Sequence, residues 1–253
     1  MRPIIPTFFF CVFISFAGLS QVNEIKSKSS SNASSKSSGS SDSGSGSSAC
    51  SGCSVNFYFE LFKFVGATKA AKLGKADSIH RIVSVETFFQ GAIQPSSYYL
   101  FNPRIRGNWG LFSTDLRFNY LIEQNVGNGT SDLSTWDWQV LQLNLITSRN
   151  VTGRVGAGTL FETFGAKQTF FEWTTSFSFY SNDQKFIANA EYRLARDYNT
   201  SAVPRREINL SVEKMLFQSG AWHGYATLGG VYQRYYQSVS VWGLQVGLAF
   251  RIF

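Results

Sequence analysis

Hydrophobic and polar residues alternate along the chain from His80 to its last residue. Residues 112–122 are the clearest case, because every even position except Thr114 is apolar while the odd positions from 113 to 119 are polar or charged. A period of two is typical of a β-strand with two unlike faces. The pattern recurs about ten times, and the 174 residues from 80 to 253 leave about 17 for each strand with its connection. The sequence predicts an all-β fold, an antiparallel β-barrel of about ten strands.

The amount of charge decides which face of this barrel meets water. A soluble barrel would place its apolar face inside, whereas a membrane barrel places it outside. Residues 80–253 contain 15 basic and 12 acidic residues, close to 16%, which is well below the roughly 25–35% usual for a water-facing surface. We therefore predict a transmembrane barrel with its apolar side chains pointing towards lipid.

Loop lengths predict which end of the barrel faces the outside. Transmembrane barrels keep short turns on the periplasmic side and longer loops outside. With both barrel termini in the periplasm, the longer gaps at 123–134 and 196–205 become external. The short gaps at 148–150, 181–183 and 218–220 then become periplasmic turns.

The first twenty residues have the pattern of an export signal. Arg2 gives a positive charge, residues 4–16 form a short apolar core, and residues 18–20 (Gly-Leu-Ser) offer small residues at the two positions that a signal peptidase reads. We predict cleavage before Gln21. The apolar core is too short to span a bilayer as a helix, and no later run is long enough for a bundle of membrane helices.

Two segments separate the signal from the barrel. Residues 21–54 are nearly half serine, and such a composition buries too little apolar surface to order the chain, so it predicts a flexible periplasmic tether. Its lysines also allow a basic strap that touches anionic lipid or an acidic partner. Residues 55–79 have an ambiguous period and fit an amphipathic helix lying in the membrane interface better than an extra strand.

Candidate chemistry outside the barrel wall is sparse. Cys50 and Cys53 remain after the signal with Cys11 is removed, and in an oxidising compartment this pair can close a local disulfide. Half of a metal site and a redox motif are the alternatives. The histidines are His80 and His223, and neither has partners at a telling spacing. The sequence predicts no catalytic, cofactor or metal site, and no nucleic-acid partner.

The charged residues that alternate with apolar ones face the barrel interior. Six acids and six arginines share this property, so their charges cancel. They are Glu86, Asp115, Glu162, Glu172, Glu191 and Glu213, with Arg104, Arg106, Arg117, Arg154, Arg193 and Arg251. The interior of a ten-stranded barrel is narrow, and arginine binds carboxylates in a bidentate manner. We therefore expect a lumen largely closed by ionic contacts.

With these features, the chain resembles the small outer-membrane β-barrel proteins of Gram-negative bacteria. The likeness rests on the export signal, the alternating strands and a last strand that ends on Phe253. It implies that Phe250, Ile252 and Phe253 act as a signal for the barrel-assembly machinery during insertion. The apolar residues from Trp242 to Ile252 fall on even positions, however, so the terminal Phe253 is one residue out of phase with them. It also implies contact with outer-membrane lipid.

These features predict a non-enzymatic outer-membrane barrel that serves as a structural or accessory subunit. The N-terminal tether, lying in the periplasm, would engage another envelope protein there. A narrow channel for small polar solutes is the alternative, because separated acidic and basic walls could orient a solute. A lipid- or peptide-modifying enzyme is a third, weaker hypothesis.

Overall fold

The computed structural model describes residues 21–38, 83–94, 98–125 and 129–252. Over these ranges it contains one helix, α1, Gln21–Ser38, followed by ten strands. The strands are β1 (Val83–Gln94), β2 (Tyr98–Trp109), β3 (Phe112–Asn125), β4 (Gly129–Thr147), β5 (Val151–Glu162), β6 (Thr169–Tyr180), β7 (Phe186–Arg196), β8 (Arg205–Ser219), β9 (Trp222–Tyr235) and β10 (Val239–Ile252).

Each strand pairs with its neighbours in sequence, and the sheet closes on itself. All the pairings are antiparallel, and β1 pairs with β10 to complete the barrel. At the seam, Glu86 lies opposite Arg251 on one side and opposite Arg106 on the other. Closure leaves no unpaired sheet edge. The prediction of an antiparallel barrel of about ten strands is confirmed.

The two faces of the wall have the polarity expected of a membrane barrel. Large apolar side chains such as Phe89, Leu228 and Val246 are exposed on the outside, whereas Asp115 and Glu172 are completely buried on the inside. A water-soluble barrel has the reverse arrangement. The prediction that the apolar face points outward is confirmed, and the chain is a membrane-spanning β-barrel.

The barrel has two chemically distinct ends. The terminal end contains the start of β1, the end of β10 and the short connections 110–111, 148–150, 181–185 and 220–221. The loop end contains the connections 95–97, 126–128, 163–168, 197–204 and 236–238. The connections at the loop end are longer on average. The longer gap predicted at 196–205 is confirmed, but the one at 123–134 was wrong, because β3 continues to Asn125 and β4 begins at Gly129.

Helix α1 lies at the loop end, in contact with the inside of the barrel mouth. Val22, Ile25 and Ser29 on α1 are completely buried. Residues 21–38 therefore differ from the flexible tether predicted over 21–54. The described helix is not both long and apolar enough to cross a membrane.

Several predicted features lie outside the described residues. These are the signal segment 1–20, the remainder of the tether at 39–54, the segment 55–79, the residues Cys50, Cys53 and His80, and the terminal Phe253.

The strands depart from regular pairing at a few places. The β4–β5 register shifts between Trp138 and Leu141. This bulge changes the buried inward positions of β4 from the odd residues Asp137 and Gln139 to the even residues Gln142 and Asn144. Pro103 lies in β2 opposite Phe89. A proline cannot donate a ladder hydrogen bond and often marks a bulge in a paired strand, but the β2–β3 register is the same on both sides of Pro103.

Candidate functional site

The barrel interior is crossed by one continuous network of ion pairs. It joins seven arginines to seven carboxylates, each pair separated by 4.0 Å or less, so the network has no net charge. The arginines are Arg104, Arg106, Arg117, Arg154, Arg193, Arg205 and Arg251, and the carboxylates are Glu86, Asp115, Asp137, Glu172, Glu191, Glu207 and Glu213. Inward positions on nine of the ten strands supply these side chains.

Arg193 lies at the centre of this network. Its guanidinium is 2.6 Å from Glu191 and 3.0 Å from Asp115. It is also 3.4 Å from Glu172 and 3.8 Å from Asp137. Because the side chain is only 1% exposed, these four carboxylates replace the water that would otherwise solvate the charge. Arg193 therefore connects the two halves of the network.

The half of the network nearer the loop end is formed by Arg117 and Arg205. Arg117 binds Asp137 at 2.6 Å and contacts both oxygens of Glu207, the longer of these contacts being 2.9 Å. Arg205 lies 2.6 Å from Asp137 and 2.7 Å from Glu172. Two-point contacts of this kind fix the position of the guanidinium as well as its charge.

The half nearer the terminal end is formed around Arg251. Its guanidinium donates to both oxygens of Glu213 at 2.5 and 2.9 Å and lies 3.9 Å from Glu86. Glu86 is also 3.4 Å from Arg106 and 3.8 Å from Arg154. Glu86 thus links the seam of the barrel, where β1 meets β10, to the centre of the lumen.

An aromatic ring supports the arginines where the carboxylates leave a gap. The guanidinium carbons of Arg104, Arg106 and Arg251 lie 5.6, 6.0 and 5.5 Å from the centre of the Phe88 ring. Arg251 also lies 4.7 Å from the ring of Tyr225. Such distances give a favourable cation–π interaction. They show that inward apolar residues also serve to pack the charged side chains.

Little empty space remains between these side chains. A cavity of about 30 Å³ lies beside Arg104, Glu191 and Glu213, and another of about 10 Å³ lies beside Glu86 and Arg154. One water molecule needs roughly 10–15 Å³ measured in this way. These cavities therefore hold about one or two water molecules each.

Eleven of the twelve charged residues predicted to face the lumen belong to this network. The exception is Glu162, which lies inside the barrel but binds α1. Three members were not predicted: Asp137, Arg205 and Glu207. Asp137 and Gln139 alternate with Trp136 and Trp138. This alternation is the signal from which Asp137 could have been predicted to face the lumen.

Arg205 and Glu207 were missed for a related reason. Both were placed in or beside the predicted loop at 196–205, although β8 begins at Arg205. The alternation of these two residues with Arg206 and Ile208 is regular. Since Arg206 is charged and faces outward at the end of the strand, the usual contrast between an apolar and a polar face is lost there.

The mouth at the loop end contains a second group of polar contacts, which hold the start of α1. The carboxylate of Glu123 accepts hydrogen bonds from the backbone nitrogens of Gln21 and Val22 at 3.0 and 2.9 Å. The Tyr98 hydroxyl donates to the side-chain oxygen of Gln21 at 2.5 Å and lies 3.1 Å from Glu123. A carboxylate at this position satisfies helix donors and interacts favourably with the helix dipole.

An apolar lining surrounds the same mouth. Val22 and Ile25 of α1 pack into this lining, which is formed by inward residues near the strand ends. Its members are Ala92, Tyr98, Leu100, Leu121, Leu133, Phe164, Val231, Tyr235, Val239 and Val241. We call these ten residues the mouth collar. The collar interrupts the polar inner surface just above the ionic network, and it gives α1 a hydrophobic seat.

The middle of α1 is held by polar residues from the end of β5 and from two loop-end connections. Ser29 donates to Glu162 at 2.7 Å, and the Gln168 side chain donates to the Ser29 carbonyl at 2.7 Å. Further along, Asn32 donates to Asp197 at 3.0 Å and accepts from Thr200 at 2.7 Å. These contacts explain why a serine-rich segment is ordered here, since its hydroxyls and amides find partners inside the mouth.

Tyr236, in the connection between β9 and β10, completes the site around Glu162. Its hydroxyl donates to both carboxylate oxygens at 2.9 Å. Burial, together with the negative charge of Glu162, raises the pKa of Tyr236 far above its ordinary range. The hydroxyl therefore remains protonated and acts as a donor.

The other predicted site residues take no part in these two groups. His223 lies on β9 opposite Arg251 and is partly buried. Phe250 and Ile252 lie on the outward side of β10 next to the seam. Within residues 21–38, 83–94, 98–125 and 129–252, no three His, Cys, Asp or Glu side chains are grouped so as to hold a metal ion.

No protein-family model and no curated protein sequence matches the chain, but seven chains of solved structures do. One is the N-terminal β-barrel domain of Pseudomonas aeruginosa OprF, with 14% identity and a TM-score of 0.31, over 67% of this chain and 97% of that one. Another is P. aeruginosa OccK2 (OpdF), with 12% identity and a TM-score of 0.30, over 66% of this chain and 60% of that one. The chain thus spans less than two thirds of OccK2.

The similarity to these two barrels concerns architecture. The membrane-spanning character of the chain rests on its own residues, which place apolar side chains on the outer wall and ion pairs within.

Proposed function

We propose that the protein is a non-enzymatic, non-conducting barrel of the outer membrane that serves as a structural or accessory subunit of an envelope complex. The observation that carries this proposal is the ionic network, which crosses the lumen with equal numbers of arginines and carboxylates. A pathway for solutes along the barrel axis would require several of these buried ion pairs to separate at once.

The arrangement of the charges argues against a channel. A selective polar pore keeps its acidic and basic residues on separate walls, so that their field acts on the solute. Here Arg117, Arg193 and Arg205 each contact two or more carboxylates directly, so most of their field is cancelled within the wall. The small cavities and the helix in the mouth favour the same conclusion.

Conductance across a planar bilayer tests the closed lumen. The wild-type barrel is expected to give no steady openings, and removal of residues 21–38 should leave it closed because the network remains. A variant with three shortened arginines, Arg117→Ser, Arg193→Ser and Arg205→Ser, is expected to conduct if it inserts. Steady openings of the wild-type protein would establish the channel alternative.

A role as an accessory subunit predicts a partner protein in the periplasm. Since residues 21–38 bind the barrel itself, we assign the partner contact to residues 39–79, which contain the basic and aromatic segment. Extraction in mild detergent should co-purify an envelope protein, and deletion of 39–79 should release it. Deletion of 21–38 is the matched control and should retain the partner. A barrel that purifies alone under these conditions would contradict the accessory role.

Turnover of lipid A or a peptide by the purified protein would instead establish an enzyme. The variant His223→Ala separates a true activity from a contaminant, because it removes the histidine of the described strands.

A further inference from the structure

The first turn of α1 begins at the residue where the sequence predicts signal-peptide cleavage. Gln21 is predicted to be the first residue of the exported chain, and its backbone nitrogen lies 3.0 Å from the Glu123 carboxylate inside the mouth. We propose that cleavage before Gln21 creates an α-ammonium group that Glu123 binds, so that the barrel carries a built site for its own processed N-terminus.

The covalent step is an ordinary hydrolysis. Water adds across the peptide bond between Ser20 and Gln21, leaving a carboxyl group on Ser20 and an amine on Gln21. At neutral pH the amine takes up a proton, since the usual α-amino pKa is about 7.7–8.0. The nitrogen then changes from an amide with one hydrogen to an ammonium with three hydrogens and a full positive charge.

The site around Gln21 suits a positive charge better than an amide. Glu123 is only 3% exposed, and one of its oxygens faces the nitrogen of Gln21 while the other faces that of Val22. Ammonium binding turns the first contact into a charge-assisted hydrogen bond, about twice as strong as a neutral one.

The spacing of residues on α1 fixes which nitrogen can occupy this site. Val22, Ile25 and Ser29 lie on one side of the helix, and all three are buried in the mouth. Cleavage two residues later would remove Val22 from the collar. Cleavage earlier would place the ammonium on another residue and leave an uncharged amide of Gln21 at Glu123.

The side chain of Gln21 provides a second, chemical readout. A free N-terminal glutamine can cyclise when its amine attacks the side-chain amide carbon and ammonia leaves. In the mouth, the amide oxygen of Gln21 accepts from Tyr98 while the nitrogen is bound to Glu123. Cyclisation would replace the ammonium with an uncharged lactam nitrogen and tie that nitrogen to the side-chain carbonyl, so the two groups could no longer be placed independently. The docked chain should therefore retain an open glutamine with a free amine.

Two measurements test the proposal on the full chain. The intact mass of protein purified from its native membrane should correspond to a chain that starts at Gln21 without loss of ammonia. Trypsin should cut slowly after Lys26 and Lys28, because a docked helix has to leave the mouth to enter a protease. The Glu123→Gln variant should be cut at least about tenfold faster, given the usual strength of a hydrogen bond to a charged group.

The controls distinguish the loss of the contact between the ammonium and Glu123 from a general destabilisation of the barrel. Glu24→Gln removes an exposed carboxylate from the same helical turn and should leave the trypsin rate unchanged. A refolded chain with one glycine added before Gln21 moves the ammonium by one residue and should be cut as fast as Glu123→Gln. All variants should keep the gel mobility of the folded barrel.

Three results would overturn the site: a mature chain that starts elsewhere, a cyclised N-terminus, or equal protection of Glu123→Gln and wild type. None of them bears on conductance, so this proposal and the closed lumen can fail separately.

Discussion

Single arginines inside the barrel are stable only because each has several carboxylate partners. Removing one partner from a buried ion pair costs far more than the net stability that the pair contributes, because the remaining charge loses its counter-charge and stays without water. Arg193 is the sharpest case, since four carboxylates lie within 3.8 Å of its guanidinium. The sensitivity of the lumen to substitution should therefore follow charge balance more than side-chain volume.

Substitution of Arg193 by methionine should destabilise the barrel by about 3–5 kcal/mol, the usual cost of breaking a buried ion pair. The double variant Arg193→Met with Glu191→Gln restores neutrality and should recover part of this loss. Urea unfolding in detergent, followed by gel mobility, measures both. Arg206→Met changes an outward, exposed arginine and should shift stability by less than about 0.5 kcal/mol. A double variant less stable than the single one would contradict the argument from charge balance.

The strands could be predicted from sequence because each carries its own alternation, whereas α1 could not. Its 18 residues contain two buried aliphatic side chains, Val22 and Ile25, and serine is a modest helix former. The helix is stabilised by its seat in the mouth collar and by partners such as Glu123 and Gln168, which are distant in sequence. Most helical stability in proteins arises from such tertiary contacts.

The bulge of β4 hid part of the ionic network for a similar reason. An extra residue on one strand reverses the faces of all the residues that follow. The alternation before Trp138 and the alternation after Leu141 are therefore out of phase, and the sequence does not read as one continuous strand. The signal for the bulge is on the neighbouring strand. A Cβ added to Gly158 of β5 would lie 2.1 Å from the Trp138 carbonyl oxygen. The backbone of β4 at Trp138 and Gln139 therefore fills the space that a side chain at position 158 would need.

Gly158→Ala should therefore separate β4 from β5 locally and lower stability by about 1–3 kcal/mol, as overpacking usually does. The melting temperature of the folded band on unheated gels measures the loss. Gly230→Ala is the matched control within a strand, since its Cβ would meet nothing nearer than 3.8 Å. Equal melting of the two variants would mean that the bulge can relax, and that Gly158 is not required for it.

At the scale of the whole molecule, the position of α1 sets a problem of connectivity. The helix lies at the loop end, whereas β1 begins at Val83 at the terminal end, so the 44 residues from 39 to 82 must connect the two ends. An extended chain of this length reaches roughly 145 Å, several times the height of a twelve-residue strand of about 40 Å. Length is sufficient, but the ionic network closes the route through the folded lumen. A helix seated at the loop end and a closed lumen therefore make competing demands on the path of residues 39–82, and the location of α1 has to be measured.

The same geometry predicts which parts of the chain can be reached from outside the cell. Cysteine placed at the exposed Ser31 of α1 should react with a membrane-impermeant maleimide on intact cells, as should cysteine at the exposed Ser238 of the loop end. Cysteine at Ser219, at the terminal end, should react only after permeabilisation. All three are made with Cys50 and Cys53 replaced by serine. Labelling of the cysteine at position 219 on intact cells would show that the barrel has the opposite orientation. An unreactive cysteine at position 31 together with a reactive one at position 238 would show that α1 does not lie in the external mouth.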